Sequence, residues 1–229
     1  MISISLQSPV KAFLPEVRAY REYFERDGRF SVHVESPRSG AASKRDIQLV
    51  FFGFHPKWRR YAAVVIGDYN SLSTGPRARL KDAVKRHINR QPDIALALNP
   101  GVAKRLKLDD DAVTSLRPMG FFGDLIRQRG EQSFDMVYSG TLGRPTVIPT
   151  LEGLAKMGFR IAVVGESGRR LTHPNIEQFG PQPLEIVYEI YSTARLGLNI
   201  VPDVYPYSFQ DSTKVIEYCA SGLGIVTTK

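Results

Sequence analysis

The run Phe209-Gln210-Asp211-Ser212-Thr213-Lys214-Val215-Ile216-Glu217-Tyr218 holds the residue types best suited to bind a charged substrate. It reads as the start of a helix, with Asp211 or Ser212 as the cap. A helix start offers unpaired amides and the positive end of the helix dipole, both of which favour an anion. A lysine in that first turn opposes the dipole, so helix stability alone would not select Lys214. A bound diphosphate would, with Ser212 and Thr213 adding hydroxyls. Glu217 follows Lys214 at i+3, on a similar face, where its carboxylate can accept hydrogen bonds from a ribose.

Two glycine turns upstream suit the same ligand. Ser139-Gly140-Thr141-Leu142-Gly143-Arg144 follows an apolar run and opens a helix, and Val163-Val164-Gly165-Glu166-Ser167-Gly168 follows another. Neither spells G-x-G-x-x-G, so the dinucleotide fingerprint is absent. Each turn fits a structural role as well as phosphate contact. Candidates for proton removal are Asp68 and His55, both placed after apolar runs. The only D-x-D match, Asp109-Asp110-Asp111, stands far from these turns and reads as a solvated acidic turn. No metal site and no cofactor are therefore expected. The single cysteine, Cys219, excludes an intramolecular disulfide and reads as a buried structural thiol in a helix.

Positioning such groups takes strands and helices in alternation. In the first half, Val10–Arg26 has Phe13, Val17, Tyr20 and Phe24 at helical spacing and Gly28 as a stop, and Arg29–Glu35 alternates like a strand. A Ser, Gly and Pro-rich loop fills Ser36–Lys44. Ile47–Phe54, Ala62–Ile66 and Ile94–Leu98 are short apolar runs of the kind buried on both faces of a parallel sheet. A basic helix spans Pro76–Asn89 with Leu80, Val84 and Ile88 as its apolar face, and a short helix spans Gly101–Leu108. In the second half, strands are expected at Asp135–Ser139, Arg160–Val164, Asn175–Phe179, Leu196–Ile200 and Gly224–Thr227. Helices fall at Val147–Met157, Leu184–Thr193 and from Ser212 to Ala220. That rhythm is α/β and doubly wound. It implies a domain over residues 1–122, a linker over 123–133 and a Rossmann-like domain over 134–229.

The charge is uneven. Residues 1–118 hold 21 Lys+Arg against 12 Asp+Glu, and residues 119–229 hold 10 against 11, so the net charge of +8 lies wholly in the first half. Arg59, Arg60, Arg77, Arg79, Lys81, Lys85, Arg86 and Arg90 crowd around Trp58 and the helix after Pro76. Such a cluster suits an anionic membrane surface, a solvated helix face or nucleic acid. Phe51, Phe52 and Phe54 read as strand core rather than a stacking platform, which disfavours nucleic acid. No signal peptide and no run of about 20 apolar residues is present, which points to the cytoplasm.

Taken in order, these motifs resemble the donor-binding domain of GT-B-type glycosyltransferases, in particular the large retaining group (family 4-like) of bacterial polysaccharide, capsule and O-antigen enzymes. The matching text is Tyr138-Ser139-Gly140-Thr141, Ile161-Ala162-Val163-Val164-Gly165, Asn175-Ile176 through Gly180, Leu196-Gly197-Leu198-Asn199 and Ser212 through Val226. Gly67 to Ser73 and Leu98 to Val102 resemble acceptor-domain segments. The resemblance implies two Rossmann-like domains, both shorter than usual, and a truncated C-terminal part, because such chains continue with a further helix. It implies a hexosyltransferase that moves a sugar from a nucleotide-sugar donor to a lipid-linked or oligosaccharide acceptor, as a cytoplasmic protein peripheral on the inner membrane face. Gly140, Thr141 and Gly165 would lie near the donor phosphates. Ser212, Thr213 and Lys214 would contact the diphosphate or sugar, Glu217 would bind the ribose, and Arg144 would neutralise the leaving diphosphate. The family's first glutamate is Phe209 here, the lysine expected five residues after Arg144 is Pro149, and no acceptor strand and glycine loop is evident in residues 1–35. Rival readings are a non-catalytic nucleotide-binding remnant, a nucleic-acid-binding module and a nucleotide-sugar epimerase.

Overall fold

Two parallel sheets organise the chain, each in its own compact unit: residues 1–118 with 209–211, and residues 119–208 with 212–228. A computed structural model describes residues 1–7, 14–37, 39–51, 53–108, 113–165 and 170–228. Val10, Phe13, Phe52, the Asp109-Asp110-Asp111 run and Glu166-Ser167-Gly168 lie outside the described residues.

The first unit contains β1 (Ile2–Gln7), α1 (Pro15–Asp27), β2 (Phe30–Glu35), β3 (Ile47–Phe51), β4 (Val64–Tyr69), α2 (Ala78–Ile88), β5 (Ile94–Ala97), α3 (Pro100–Leu106) and β6 (Val113–Leu116). The strand order is β2-β1-β3-β4-β5-β6, all parallel, so the winding direction reverses between β1 and β3. Ile4, Leu6, Leu49 and Phe51 form a core that Val17, Tyr20 and Phe24 of α1 cover. Pro15 opens α1 and Gly28, at φ 73°, closes it in the left-handed region. The strand β1 corrects the sequence reading, which saw no strand at the N-terminus. Its alternation, Ile-Ser-Ile-Ser-Leu-Gln, suits a half-exposed strand, yet Ser5 and Gln7 are buried because β2 and β3 flank it. The Ser5 hydroxyl is satisfied by Glu35 at 3.0 Å.

The basic helix α2 is a second correction. Leu80 and Val84 are exposed, and the buried residues are Ala78 and Asp82. Asp82 accepts the Ser73 amide at 3.0 Å, and Lys85 Nζ donates to Ser73 Oγ at 3.0 Å. Satisfying that loop turns the polar stripe inward and the leucine–valine stripe outward.

The second unit contains β7 (Phe134–Ser139), α4 (Val147–Lys156), β8 (Ile161–Val164), β9 (Ile176–Gly180), α5 (Leu184–Ser192), β10 (Ala194–Asn199), α6 (Thr213–Ala220) and β11 (Gly224–Thr227). Its order is β11-β10-β7-β8-β9, again parallel, with the reversal between β7 and β10. Alternation along the strands supplies both faces. Met136, Tyr138, Ile161 and Val163 pack with Leu151 of α4. Val137, Ala162 and Val164 pack with Tyr188 and Tyr191 of α5 and Tyr218 of α6. Residues 123–133 belong to this unit, with Leu125 of a short 3-10 turn buried in the second of these cores. Cys219 is exposed, not buried: Tyr218 takes the inward position of α6, and the next residue turns about 100° away. Among the described residues no helix is long and apolar enough to cross a membrane.

Gly197 lets α6 dock, because a Cβ there would overlap the Tyr218 ring. Gly197→Ala is expected to destabilise the protein by about 3 kcal/mol through overpacking, read as a lower denaturant midpoint with Gly224→Ala, near the sheet edge, as a milder comparison.

Candidate functional site

In a doubly wound sheet, the crevice outside the strand carboxyl ends at the reversal point is where the covering helices leave room for a ligand. In the second unit that point lies beyond Ser139 of β7 and Asn199 of β10. Gly140 follows β7 at φ 132°, and its amide donates to Val164 O at 2.8 Å. Gly165 follows β8 at the same φ, and a Cβ on it would overlap the carbonyl of Gly140. The two glycines therefore allow two backbone turns to touch, which leaves a bare surface of amides and Cα atoms.

Lys214 reaches that surface from the first turn of α6. A Cβ on Gly140 would stand 3.1 Å from its ammonium nitrogen, and the nitrogen lies 4.3 Å from the Tyr138 ring centroid. The ammonium is buried and makes no hydrogen bond among the described residues. Burial, then the positive charge of Arg144, push its pKa down to about 7, with Glu217 pulling in the other direction. The Tyr138 hydroxyl donates to Thr141 O at 2.9 Å, which fixes the ring under the lysine. Thr141 Oγ1 accepts the Gly143 amide at 3.2 Å and so shapes the turn. Arg144 stacks on Tyr207 at 4.6 Å, and its Nε is buried without a partner among the described residues. Two cations thus converge near one glycine turn, each resting on an aromatic face.

Glu217 belongs to an adjoining tyrosine network. The Tyr191 hydroxyl lies 2.7 Å from Ser139 Oγ and 3.2 Å from Glu217 Oε2. The Tyr218 hydroxyl accepts the Ser139 amide at 3.0 Å. Ser212 is the N-cap of α6 but makes no side-chain cap bond, and the Thr213 hydroxyl donates to the Met119 sulfur. Gly140, Thr141, Arg144, Gly165, Lys214 and Glu217 are therefore gathered around one crevice, with Ser212 and Thr213 at the adjacent helix start. The sequence reading missed Tyr138, Tyr191, Tyr207 and Asn199. The last has, at the carboxyl end of β10, a buried Oδ1 with no hydrogen-bond partner among the described residues. The available signal was tyrosine within apolar runs, since a buried phenol needs a polar partner.

Asp68 and His55 belong to the first unit and have no partner in common. Asp68 is fully buried at the end of β4. It accepts the Arg117 guanidinium at 3.1 and 3.0 Å and the Tyr20 hydroxyl at 2.9 Å. Burial raises its pKa, and Arg117 and Tyr20 hold it back. With both oxygens engaged, the carboxylate anchors α1 and the segment after β6 onto the sheet. His55 lies in the loop after β3, buried, with Nε2 unpartnered. Phe54 is also corrected: it is 49% exposed and stands edge to face with Trp58, 71% exposed, because β3 ends at Phe51 and the chain turns away through Gly53.

No protein-family profile matches the sequence, and no curated protein is found by sequence. Solved structures match by fold. AviGT4, a glycosyltransferase involved in avilamycin A biosynthesis, is 12% identical with a TM-score of 0.67, over 100% of this chain and 79% of that one. Sucrose-phosphate synthase from Thermosynechococcus elongatus is 14% identical with a TM-score of 0.69, over 99% of this chain and 81% of that one. The likeness is one of fold, two Rossmann-like α/β units as in GT-B glycosyltransferases, and it agrees with the fold that the sequence resemblance implied.

The buried lysine has a signature in pH. Its folded pKa is about 7 and its ordinary value 10.5, so between them the unfolded chain binds a proton that the folded one has released. Stability from this group must then rise with pH above about 7. Between pH 7 and 9 the wild type is expected to gain denaturant stability relative to Lys214→Met, and a constant difference would refute the assignment.

Proposed function

We propose that the chain is a glycosyltransferase, moving a sugar from a nucleoside-diphosphate donor held in the second unit to a glycan acceptor, lipid-linked or oligosaccharide, of polysaccharide biosynthesis. The observation that carries this reading is the Lys214 ammonium, buried against Gly140 and unpartnered among the described residues. A buried cation without a partner is costly, and a diphosphate is a ligand that would pair it with Arg144 as well. Breaking the bond between the anomeric carbon and phosphate leaves negative charge on the nucleoside diphosphate. Lys214, Arg144 and the start of α6 are preorganised to stabilise that charge, which makes a metal ion dispensable in this reading. Glu217, oriented by Tyr191, is assigned to the ribose.

One observation favours nucleotide binding without transfer. Phe209 stands where the resemblance places a glutamate, and its surroundings suit an aromatic ring. Arg105 stacks on it at 4.6 Å and Asn99 donates to its carbonyl at 3.1 Å. Release of free sugar or transfer from a donor decides between the two.

Calorimetry with UDP and GDP is expected to give saturable binding. Lys214→Ala and Glu217→Ala should each weaken it about tenfold or more, as for loss of a hydrogen bond to a charged group. Binding should take up a proton near pH 8 in the wild type and not in Lys214→Met, seen by comparing buffers of different ionisation enthalpy. No nucleotide binding would sink the transferase reading.

The acceptor face of this proposal includes a peripheral contact with the cytoplasmic leaflet. Trp58 and Phe54 are exposed side by side, flanked by Lys57, Arg59 and Arg60, a pairing of aromatic and basic groups suited to anionic headgroups. Trp58 is the sole tryptophan, so its fluorescence reports directly. Vesicles containing phosphatidylglycerol should shift its emission to the blue, and phosphatidylcholine vesicles should not.

A further inference from the structure

The first sheet has its own reversal point, between β1 and β3, and a cavity of about 630 Å³ opens at the carboxyl ends of those strands. Gln7, from the end of β1, and Gln48 of β3 contribute buried polar lining. The remaining polar lining consists of the hydroxyl residues Ser39, Ser43 and Tyr61 and the cationic or basic Lys44, Arg59, Arg60 and His55. Among the described residues the lining contains no carboxylate, and Lys44, Arg59 and Arg60 form no ion pair. Arg59 is oriented by donating to Pro37 O at 3.1 Å.

His55 is the buried member of the set. It is 6% exposed, and among the described residues its Nε2 has no hydrogen-bond partner. Its position is built from the neighbouring helix end. Asn89 accepts the His55 amide at 3.0 Å and donates to Gly53 O at 3.0 Å, and the Arg90 amide donates to His55 O at 3.0 Å. Burial, then Lys85 and Arg59, lower the imidazole pKa to about 4, so the ring is neutral at physiological pH. A neutral imidazole donates one N–H without adding a buried charge, while the cations around it supply the attraction.

We propose that this cavity binds a phosphate group, the anionic part of the sugar acceptor, through Lys44, Arg59, Arg60 and His55. The word acceptor rests on the transferase reading; phosphate binding itself does not. The three cations favour a multiply charged phosphate over a single carboxylate, and the volume leaves space for a sugar ring beside it. Two sources share this chemistry, a soluble sugar phosphate and the phosphate of a lipid-linked acceptor.

The test uses the full chain with labelled histidine, of which there are four. Inorganic phosphate and glucose 6-phosphate should shift the His55 imidazole resonances saturably, and glucose should not. Arg60→Glu, at an exposed side chain that folding does not need, should weaken the effect about tenfold or more. A response to phosphatidylglycerol vesicles but to neither soluble phosphate would assign the phosphate to a lipid. No saturable response to any of the three, or a response that Arg60→Glu leaves unchanged, would overturn the proposal. UDP binding is measured in parallel: loss of that alone would remove the donor reading and leave this cavity standing.

Discussion

A parallel sheet covered on both faces has little room for polar chemistry except at the carboxyl ends of its strands. The rest of this structure follows from that constraint. In the second unit, strand residues alternate between two apolar cores, and β8 from Ile161 to Val164 is buried throughout. Polar groups accumulate one residue later, where Gly140 and Gly165 replace side chains with backbone. The close approach of those two turns admits Lys214 to a position that no other described residue of the unit neutralises by a hydrogen bond. The lysine is thus unfavourable for α6, for the helix dipole and for its own solvation, and the proposed diphosphate would supply its counter-charge.

The same constraint explains Asp68. At the end of β4 it is the one fully buried carboxylate among the described residues, and it is reconciled with burial by three donated hydrogen bonds. A carboxylate so engaged is a joint between elements rather than a free base. His55, in the loop after β3 of the same unit, has the opposite character: fixed through its backbone and, among the described residues, unpaired at Nε2. Both residues follow apolar runs, so position in the sequence marks both as candidates. Only the partners separate them.

Much of the fold was legible because buried parallel strands announce themselves as apolar runs. Val163-Val164-Gly165 and Leu196-Gly197-Leu198-Asn199 combine such a run with the glycine or polar residue that must follow it. What stayed hidden was structure whose pattern serves a neighbour. In β1, serine and glutamine alternate with isoleucine and leucine as on a solvated edge, and only the flanking strands bury them. In α2, the leucine stripe looked like a core face, whereas Asp82 and Lys85 are turned inward to satisfy a loop. Phe54 looked like strand core because the apolar run continues past the last strand residue, Phe51. The candidate site was legible in Lys214 and Glu217, since a charge opposed to a helix dipole is visible in one dimension. Its tyrosines were not, because Tyr138, Tyr191 and Tyr218 satisfy every rule for core residues, and only their hydroxyl partners reveal the second role.

The division of charge acquires a physical meaning from these positions. The second unit is nearly neutral, but two of its cations, Lys214 and Arg144, have buried nitrogens without partners, and charges in a low-dielectric site act strongly on a ligand. The first unit holds the whole excess and keeps much of it exposed, at Lys44, Arg60 and around Trp58, where screening weakens each charge and number matters more. Buried cations suit a leaving group whose charge must be stabilised at one bond. Displayed cations suit a large anionic partner that must be drawn in and released. The contrast between the two arrangements matches the two proposals, a nucleoside diphosphate for the second sheet and an acceptor phosphate for the first.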